Sequence, residues 1–182
     1  MTNPDARFVQ TFYSGDPAEK LAAARNLFAG LASRLMAAPA FVDALEQLRH
    51  SGQALNSHMQ AMDLGRLCTR CAASPGGGCC SAFMADNTDA LQILINLLLG
   101  VTVEQQPDNG ESCCFLGPQG CLFPVKPIFC LNYNCTHILA SAEPESLQTL
   151  YQRAAAVLSR QTGIEALLLE ELRCREKKGD GL

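Results

Sequence analysis

Residues 68–80 read Cys68-Thr69-Arg70-Cys71-Ala72-Ala73-Ser74-Pro75-Gly76-Gly77-Gly78-Cys79-Cys80. With Cys113, Cys114, Cys121, Cys130 and Cys135 they place nine of the chain's ten cysteines between positions 68 and 135. Thiols gathered this way bind a soft metal, carry redox chemistry or form disulfides. The sequence on either side of them is helical in pattern. The fold expected is therefore mainly α: a helical domain flanking a loop-rich cysteine metal-binding core with short β-hairpin elements.

Upstream, Asp16-Pro17-Ala18-Glu19 is a helix start, with Asp16 as N-cap, Pro17 at the first helical position and Glu19 placed for a capping box. Leu21, Ala24, Phe28, Leu31 and Leu35 follow at helical spacing as its apolar face. Pro39 opens a second helix with Phe41, Leu45 and Leu48 inside. His50-Ser51-Gly52 is a point of breakage or bending before Leu55, Met59 and Met62 resume. Methionines at helical spacing read as core filler rather than soft-metal ligands.

Inside the cysteine segment, Ser74-Pro75-Gly76-Gly77-Gly78 predicts a loop whose glycines let the backbone turn tightly. It is no phosphate loop, since no Gly-Lys-Ser/Thr follows. Thr88 is placed to cap an apolar helix over 89–99, which Gly100 ends. Val101-Thr102-Val103 predicts a short strand, and Pro107-Asp108-Asn109-Gly110 a turn. Ser112 to Phe115 and Cys121 to Phe123 are expected to pair around Gly117-Pro118-Gln119-Gly120. Two further helices are expected, one over 143–161 with Leu147, Leu150, Tyr151, Ala154 and Leu158 facing in, and one over 164–175. The chain divides as one domain, 1–182: a helical N-terminal part (1–64), the cysteine-cluster segment (65–137) and a helical C-terminal part (138–182).

At 182 residues the chain has room for a real core and does not need disulfide staples to fold. The formal net charge is −4, and no basic stripe runs through the sequence, which argues against a nucleic-acid partner. Arg173, Arg175, Lys177 and Lys178 read as a solvated helix end that suits the helix dipole. The longest apolar run, 90–101, contains Gln92 and Asn96 and falls short of the ~20 residues a bilayer requires, so no membrane partner is expected. The first residues carry neither the basic region nor the apolar stretch of a secretory signal, and the expected location is the cytoplasm. In a reducing compartment, dense cysteines are metal ligands or catalytic thiols before they are structural disulfides.

A Cys-x2-Cys pair sets two sulfurs on one turn, close enough to share an ion, and Cys68 and Cys71 have that spacing. Eight or nine thiols exceed a single four-ligand zinc site; two zinc sites or two iron–sulfur clusters would each use eight. The spacing is not that of a bacterial ferredoxin. In extended backbone the members of Cys79-Cys80 and of Cys113-Cys114 point apart, so one of each pair is free for a different role. A thioredoxin-like use of Cys68 and Cys71 would need a strand before the pair and a helix after it. Cys174, alone near the C-terminus, reads as a surface or packing cysteine. His137, two residues after Cys135, is a candidate nitrogen ligand or an ordinary polar residue, while His50 and His58 read as structural. No nucleophile-elbow sequence accompanies the serines, and Asp86 and Asp89 flank a helix start, where the dipole accounts for them.

Five elements together resemble the YkgJ-type cysteine-cluster family, proteins described as zinc- or iron-chelating with a CxxCxxCC signature. They are Cys68-Thr69-Arg70-Cys71, Cys79-Cys80, Cys113-Cys114-Phe115-Leu116, Gly120-Cys121 and Lys126-Pro127-Ile128-Phe129-Cys130, the last with Lys where the family has Arg. The resemblance covers about residues 68–135. It departs at the loop between Cys71 and Cys79, which has seven residues where the family has two, and Cys114 and Cys135 are additional. It implies Cys68, Cys71, Cys79, Cys80, Cys113, Cys121 and Cys130 as the metal set, to which Cys135 is the best eighth. Lys126 reads either as a cation beside a thiolate cluster or as a solvated surface lysine.

The expected function is a metal-binding protein holding an iron–sulfur cluster or clusters for a redox or maturation role toward a protein or redox partner. The alternatives are a structural zinc module serving protein interaction, and a metal-assisted protein-modification enzyme.

Overall fold

The computed structural model describes residues 12–74, 78–106 and 110–178, and the fold is mainly α. Helix α1 (Pro17–Met36) starts as the sequence requires: the Asp16 carboxylate accepts from the Ala18 and Glu19 backbone N–H groups at 2.8 and 2.9 Å, and the Asp16 N–H donates to Glu19 at 3.0 Å. Its buried stripe is Leu21, Ala24, Leu27, Leu31 and Leu35. Phe28, expected on that stripe, is 37% exposed; steps of three and four from Ala24 through Leu27 to Leu31 keep the stripe narrow and leave Phe28 one position past it.

Helix α2 (Pro39–Ala61) runs unbroken through His50-Ser51-Gly52. Gly52 is there for contact, not bending: a Cβ on it would lie 3.3 Å from the Pro124 carbonyl and from Val125 Cγ2. Helix α3 (Leu64–Ala72) follows after Asp63 in a left-handed turn (φ 55°). The expected loop therefore begins later than the cysteine pair, because no breaker precedes Ser74-Pro75. Residues 75–77 lie outside the described residues.

Helix α4 (Ala82–Asp86) leads to α5 (Ala90–Leu98). The α5 cap is Asp89, which accepts from the Gln92 N–H at 2.8 Å, and not Thr88, whose hydroxyl turns back to the Met84 carbonyl at 3.3 Å. A carboxylate is the stronger acceptor at the positive end of a helix. Gly100 ends the segment in the left-handed region, as expected. Val101–Val103 forms no strand; the Val103 carbonyl accepts instead from Arg25 at 3.0 Å. Of the expected 107–110 turn, only Gly110 lies within the described residues.

The hairpin is shorter than expected and closer to its turn: β1 (Leu116–Gly117) pairs antiparallel with β2 (Gly120–Cys121), Leu116 opposite Cys121. One bridge, Ser81 to Ser112, ties the upstream arm to the start of α4. A 3-10 turn (Ile128–Leu131) and α6 (Thr136–Ser141) precede α7 (Pro144–Lys178). α7 is one helix of 35 residues where two were expected. Gly163 faces open space, and the buried residues Ile164, Leu168 and Leu172 continue the face of Leu150, Ala154 and Val157, so packing holds both halves in line. Tyr151, expected inside, is 38% exposed.

α1 packs on α5 and α2 along α7, with α5 between α1 and α7. α5 is enclosed on all sides from Ala90 to Asn96, including its polar members Gln92 and Asn96. Both point polar groups at one residue: Gln92 Nε2 and Asn96 Nδ2 donate to the Val125 carbonyl at 2.6 and 2.9 Å, and Asn96 Oδ1 accepts from the Val125 N–H at 3.2 Å. That arrangement pins the segment carrying Lys126 and Cys130 to the centre of the bundle. No single described helix is long and apolar enough to cross a membrane.

Candidate metal centre

Eight cysteines line one cavity of about 100 Å3: Cys68, Cys71, Cys79, Cys80, Cys113, Cys121, Cys130 and Cys135. Six pieces of chain bring them there. Cys68 and Cys71 come from one face of α3, a turn apart. Cys79 and Cys80 come from the approach to α4, Cys113 from the arm before β1, and Cys121 from β2. Cys130 sits in the 3-10 turn, and Cys135 is the N-cap of α6. The other two cysteines are elsewhere. Cys114 is buried in the apolar core, and Cys174 is exposed on α7. Thus Cys113-Cys114 is split between cavity and core, whereas both members of Cys79-Cys80 reach the cavity. None of the ten forms a disulfide.

The hairpin is seated on α3 by an unusually close backbone approach. A Cβ on Gly65 would overlap the Gln119 carbonyl, and one on Gly120 (φ 106°) would come within 2.9 Å of Gly65 Cα. The Thr69 hydroxyl lies 3.0 Å from the Gly65 carbonyl and 3.1 Å from that of Gly117. Two glycines facing each other thus set the distance between the Cys68–Cys71 pair and Cys121.

The thiols are not electrically alike. Cys80 holds its proton tightly because its S–H serves the sulfurs of Cys68 and Cys79. The same contact lowers Cys68, and it lowers Cys79 to about 6, helped by backbone N–H donors. Burial pushes Cys113 up to about 11 and Cys130 to about 12, and it raises Cys121 as well. Burial also raises Tyr133, whose hydroxyl lies 3.3 Å from Met59 Sδ, on the cavity wall.

Lys126 lines this cavity and is 6% exposed, which removes the reading of a solvated surface lysine. Its ammonium donates to Asn56 Oδ1. The charges acting on it are thiols, those of Cys121, Cys130, Cys68 and Cys80, and no carboxylate is among them. Burial lowers its pKa, and thiolates would raise it. His137 lies at the cavity edge on the first turn of α6, while His50 pairs with Glu46 at 3.3 Å and His58 meets the Ser146 carbonyl at 2.8 Å. Among the described residues, no three His, Cys, Asp or Glu side chains are arranged to hold a metal ion as the chain stands. The thiols in direct contact are those of Cys68, Cys79 and Cys80.

Sequence reasoning missed Asn56, Tyr133 and Gly65. Asn56 carried a signal, being polar and next to the buried Leu55 on α2. Gly65 carried none, since a glycine in the first turn of a helix reads as a boundary until the hairpin is seen against it.

No protein-family model, curated protein or solved structure matches this chain.

Proposed function

We propose that this chain is a cysteine-rich metal-binding protein whose cavity thiols hold an iron–sulfur cluster or clusters, in a redox or maturation role toward a protein partner in the cytoplasm. The observation that carries the reading is one cavity lined by eight thiols and a buried lysine that, among the described residues, has no carboxylate partner. A buried ammonium is costly unless an anion shares its site. Cys79 supplies part of that charge in the metal-free chain, while Cys113 and Cys130 keep their protons at neutral pH; bound to a metal, these thiols would supply the rest. The donor set is soft and all sulfur, which suits zinc or iron–sulfur ligation over hard cations. Eight sulfurs on one cavity exceed the four that a single tetrahedral ion takes, which favours a polynuclear group over one mononuclear cage. The five-element resemblance to the zinc- or iron-chelating YkgJ-type family points the same way.

Such a cluster would supply one-electron exchange. The chain would supply the rest. Cys68, Cys71, Cys79, Cys80, Cys113, Cys121, Cys130 and Cys135 would offer ligands, Lys126 would offset their charge, and the apolar wall of Leu64, Phe115 and Ile138 would limit water. The thiols raised by burial would release protons on loading, so metal uptake is expected to acidify a weakly buffered solution.

The test is metal and acid-labile sulfide analysis with an absorption spectrum on anaerobically purified protein. Iron with sulfide and broad visible absorption supports the reading. Stoichiometric zinc without sulfide replaces it with a structural zinc module and moves the search for function to the helical surface.

A further inference from the structure

A second cavity, of about 400 Å3, lies across the 126–131 segment from the thiols, and Phe129 is part of both walls. Its character is opposite. Asp86, Asp89 and Glu165 line it against one ammonium, that of Lys20, and Tyr13 stands at its side. The Lys20 ammonium is committed: it is 4% exposed and donates to the backbone carbonyl of Asp86. Tyr13 lies 3.3 Å from Glu165 Oε1, to which its hydroxyl donates. The opening side is apolar, with Ile128 43% and Phe129 65% exposed.

An independent observation points to a missing donor. Gln161 lines this cavity and is 2% exposed, and its Oε1 has no hydrogen-bond partner among the described residues. The orientation of that amide is forced. The Val125 carbonyl can only accept, so Gln92 turns its Nε2 to it at 2.6 Å and presents Oε1 to Gln161. Gln161 must then give its Nε2 to Gln92, which leaves Oε1 as the orphan. A buried amide oxygen without a donor is costly, so an acceptor left over on a cavity wall marks a place for a ligand N–H or O–H.

We propose that this cavity binds a small organic cation, a primary ammonium on a short aliphatic stem. The ammonium has three donors and positive charge. Gln161 Oε1 and the carboxylates of Asp89 and Glu165 offer acceptors and negative charge. The stem fits the Ile95, Ile128 and Phe129 wall, and an aromatic face tolerates a nearby cation. Burial raises the pKa of both Asp89 and Glu165, and the Asp89 carboxylate adds to the rise at Glu165, a repulsion that a cation beside them relieves. A bare metal ion fits less well, because these carboxylates are not grouped to hold one. This inference does not rest on the metal reading, since none of its donors is a cavity thiol.

The test is calorimetric titration of the full chain with butylammonium, with 1-butanol, calcium and magnesium in parallel. Glu165→Gln and Asp89→Asn are compared with wild type; Asn keeps the helix cap of Asp89, and circular dichroism checks that each variant is folded. Saturable binding of butylammonium but not of 1-butanol is expected. Each variant should weaken it about tenfold, the effect of losing one charge-assisted hydrogen bond. Glu170→Gln, at an exposed carboxylate of α7 outside this cavity, should bind the amine and fold as wild type does, within about threefold, because the acceptors remain. Absence of saturable binding, equal binding of 1-butanol, unchanged affinity in both carboxylate variants, or displacement of the amine by either metal ion overturns the proposal.

Discussion

Lys126 donates its ammonium to Asn56 Oδ1, and Asn56 is locked in that orientation because its Nδ2 donates to the Pro124 carbonyl at 2.8 Å. The lysine is therefore held over the thiol cavity by α2, through a hydrogen bond that it donates to a neutral side chain, and among the described residues no carboxylate pairs with it. On the proposed function, an ammonium so placed would offset the charge of metal-bound thiolates. Lys126→Met keeps the stem and removes the charge. Metal affinity is expected to fall about 10- to 100-fold, the usual scale for a partner just outside the ligands. Competition with a chelator at fixed metal measures it; unchanged affinity would separate Lys126 from the centre.

Cys79 is the thiol to watch in the metal-free chain. It is exposed and has a pKa of about 6, so at pH 7 it is mostly thiolate while Cys113 and Cys130, at about 11 and 12, are not. Iodoacetamide followed by peptide mass spectrometry should label Cys79 first, with a rate that rises to half its maximum near pH 6. Metal loading should protect it. A labelling midpoint near 9 would show that the S–H of Cys80 does not stabilise the Cys79 anion.

Much of this arrangement could be read in the chain, and what could not has a common cause. The α1 capping box is local: Asp16 and Glu19 are three residues apart and satisfy each other. The gathering of eight cysteines was legible from their number and their closeness in sequence, without geometry. Phe28, Tyr151 and the bend assigned at Gly52 went astray because each depends on what lies across the interface, namely α5, the 134 region and the Pro124–Val125 segment. Thr88 and Asp89 are adjacent candidates for one cap, and only the backbone path selects between them. Gln92 and Asn96 looked like interruptions of an apolar run. They are instead the groups that make a buried helix hold a non-helical segment.

The raised thiols set a pH dependence with a definite sign. Cys113 and Cys130 have folded pKa values of about 11 and 12 against an ordinary value near 9. Above pH 9 the unfolded chain releases protons that the folded chain keeps, so folded stability falls as pH rises. Their contribution is fully present below pH 9 and is lost as pH passes through about 11 and 12. Thermal melts of the metal-free chain should therefore drop between pH 9 and 11. A Cys113→Ser variant should show a shallower decline than wild type, and an equal decline would assign the effect elsewhere.

The contact between Gly65 and Gly120 predicts a defect that acts at a distance from any ligand. Gly65→Ala puts a methyl into the Gln119 carbonyl, a backbone atom that cannot rotate away. The hairpin must lift from α3, and Cys121 moves with it. The cost expected is about 1–3 kcal/mol, the range for overpacking a close contact. Denaturant unfolding gives the stability, and metal content of the purified variant gives the geometry. A variant that loses stability and still loads fully would show that the hairpin's seat on α3 is not what positions Cys121.

Asn96 offers the sharpest separation between fold and site. Its amide pairs with both backbone groups of Val125, and it is fully buried. Asn96→Leu preserves size and leaves the Val125 N–H without a partner, whereas the Val125 carbonyl keeps Gln92. One unsatisfied buried donor costs about 1–3 kcal/mol, which in a chain of this size lowers Tm by several degrees. Because Lys126 is the next residue, the freed segment should also weaken metal retention, while Cys174→Ser, on the exposed face of α7, should change neither. If Asn96→Leu lowers Tm and leaves metal retention at the wild-type level, the segment is held in place by Asn56 and Lys126 alone, and α5 contributes to the fold without contributing to the site.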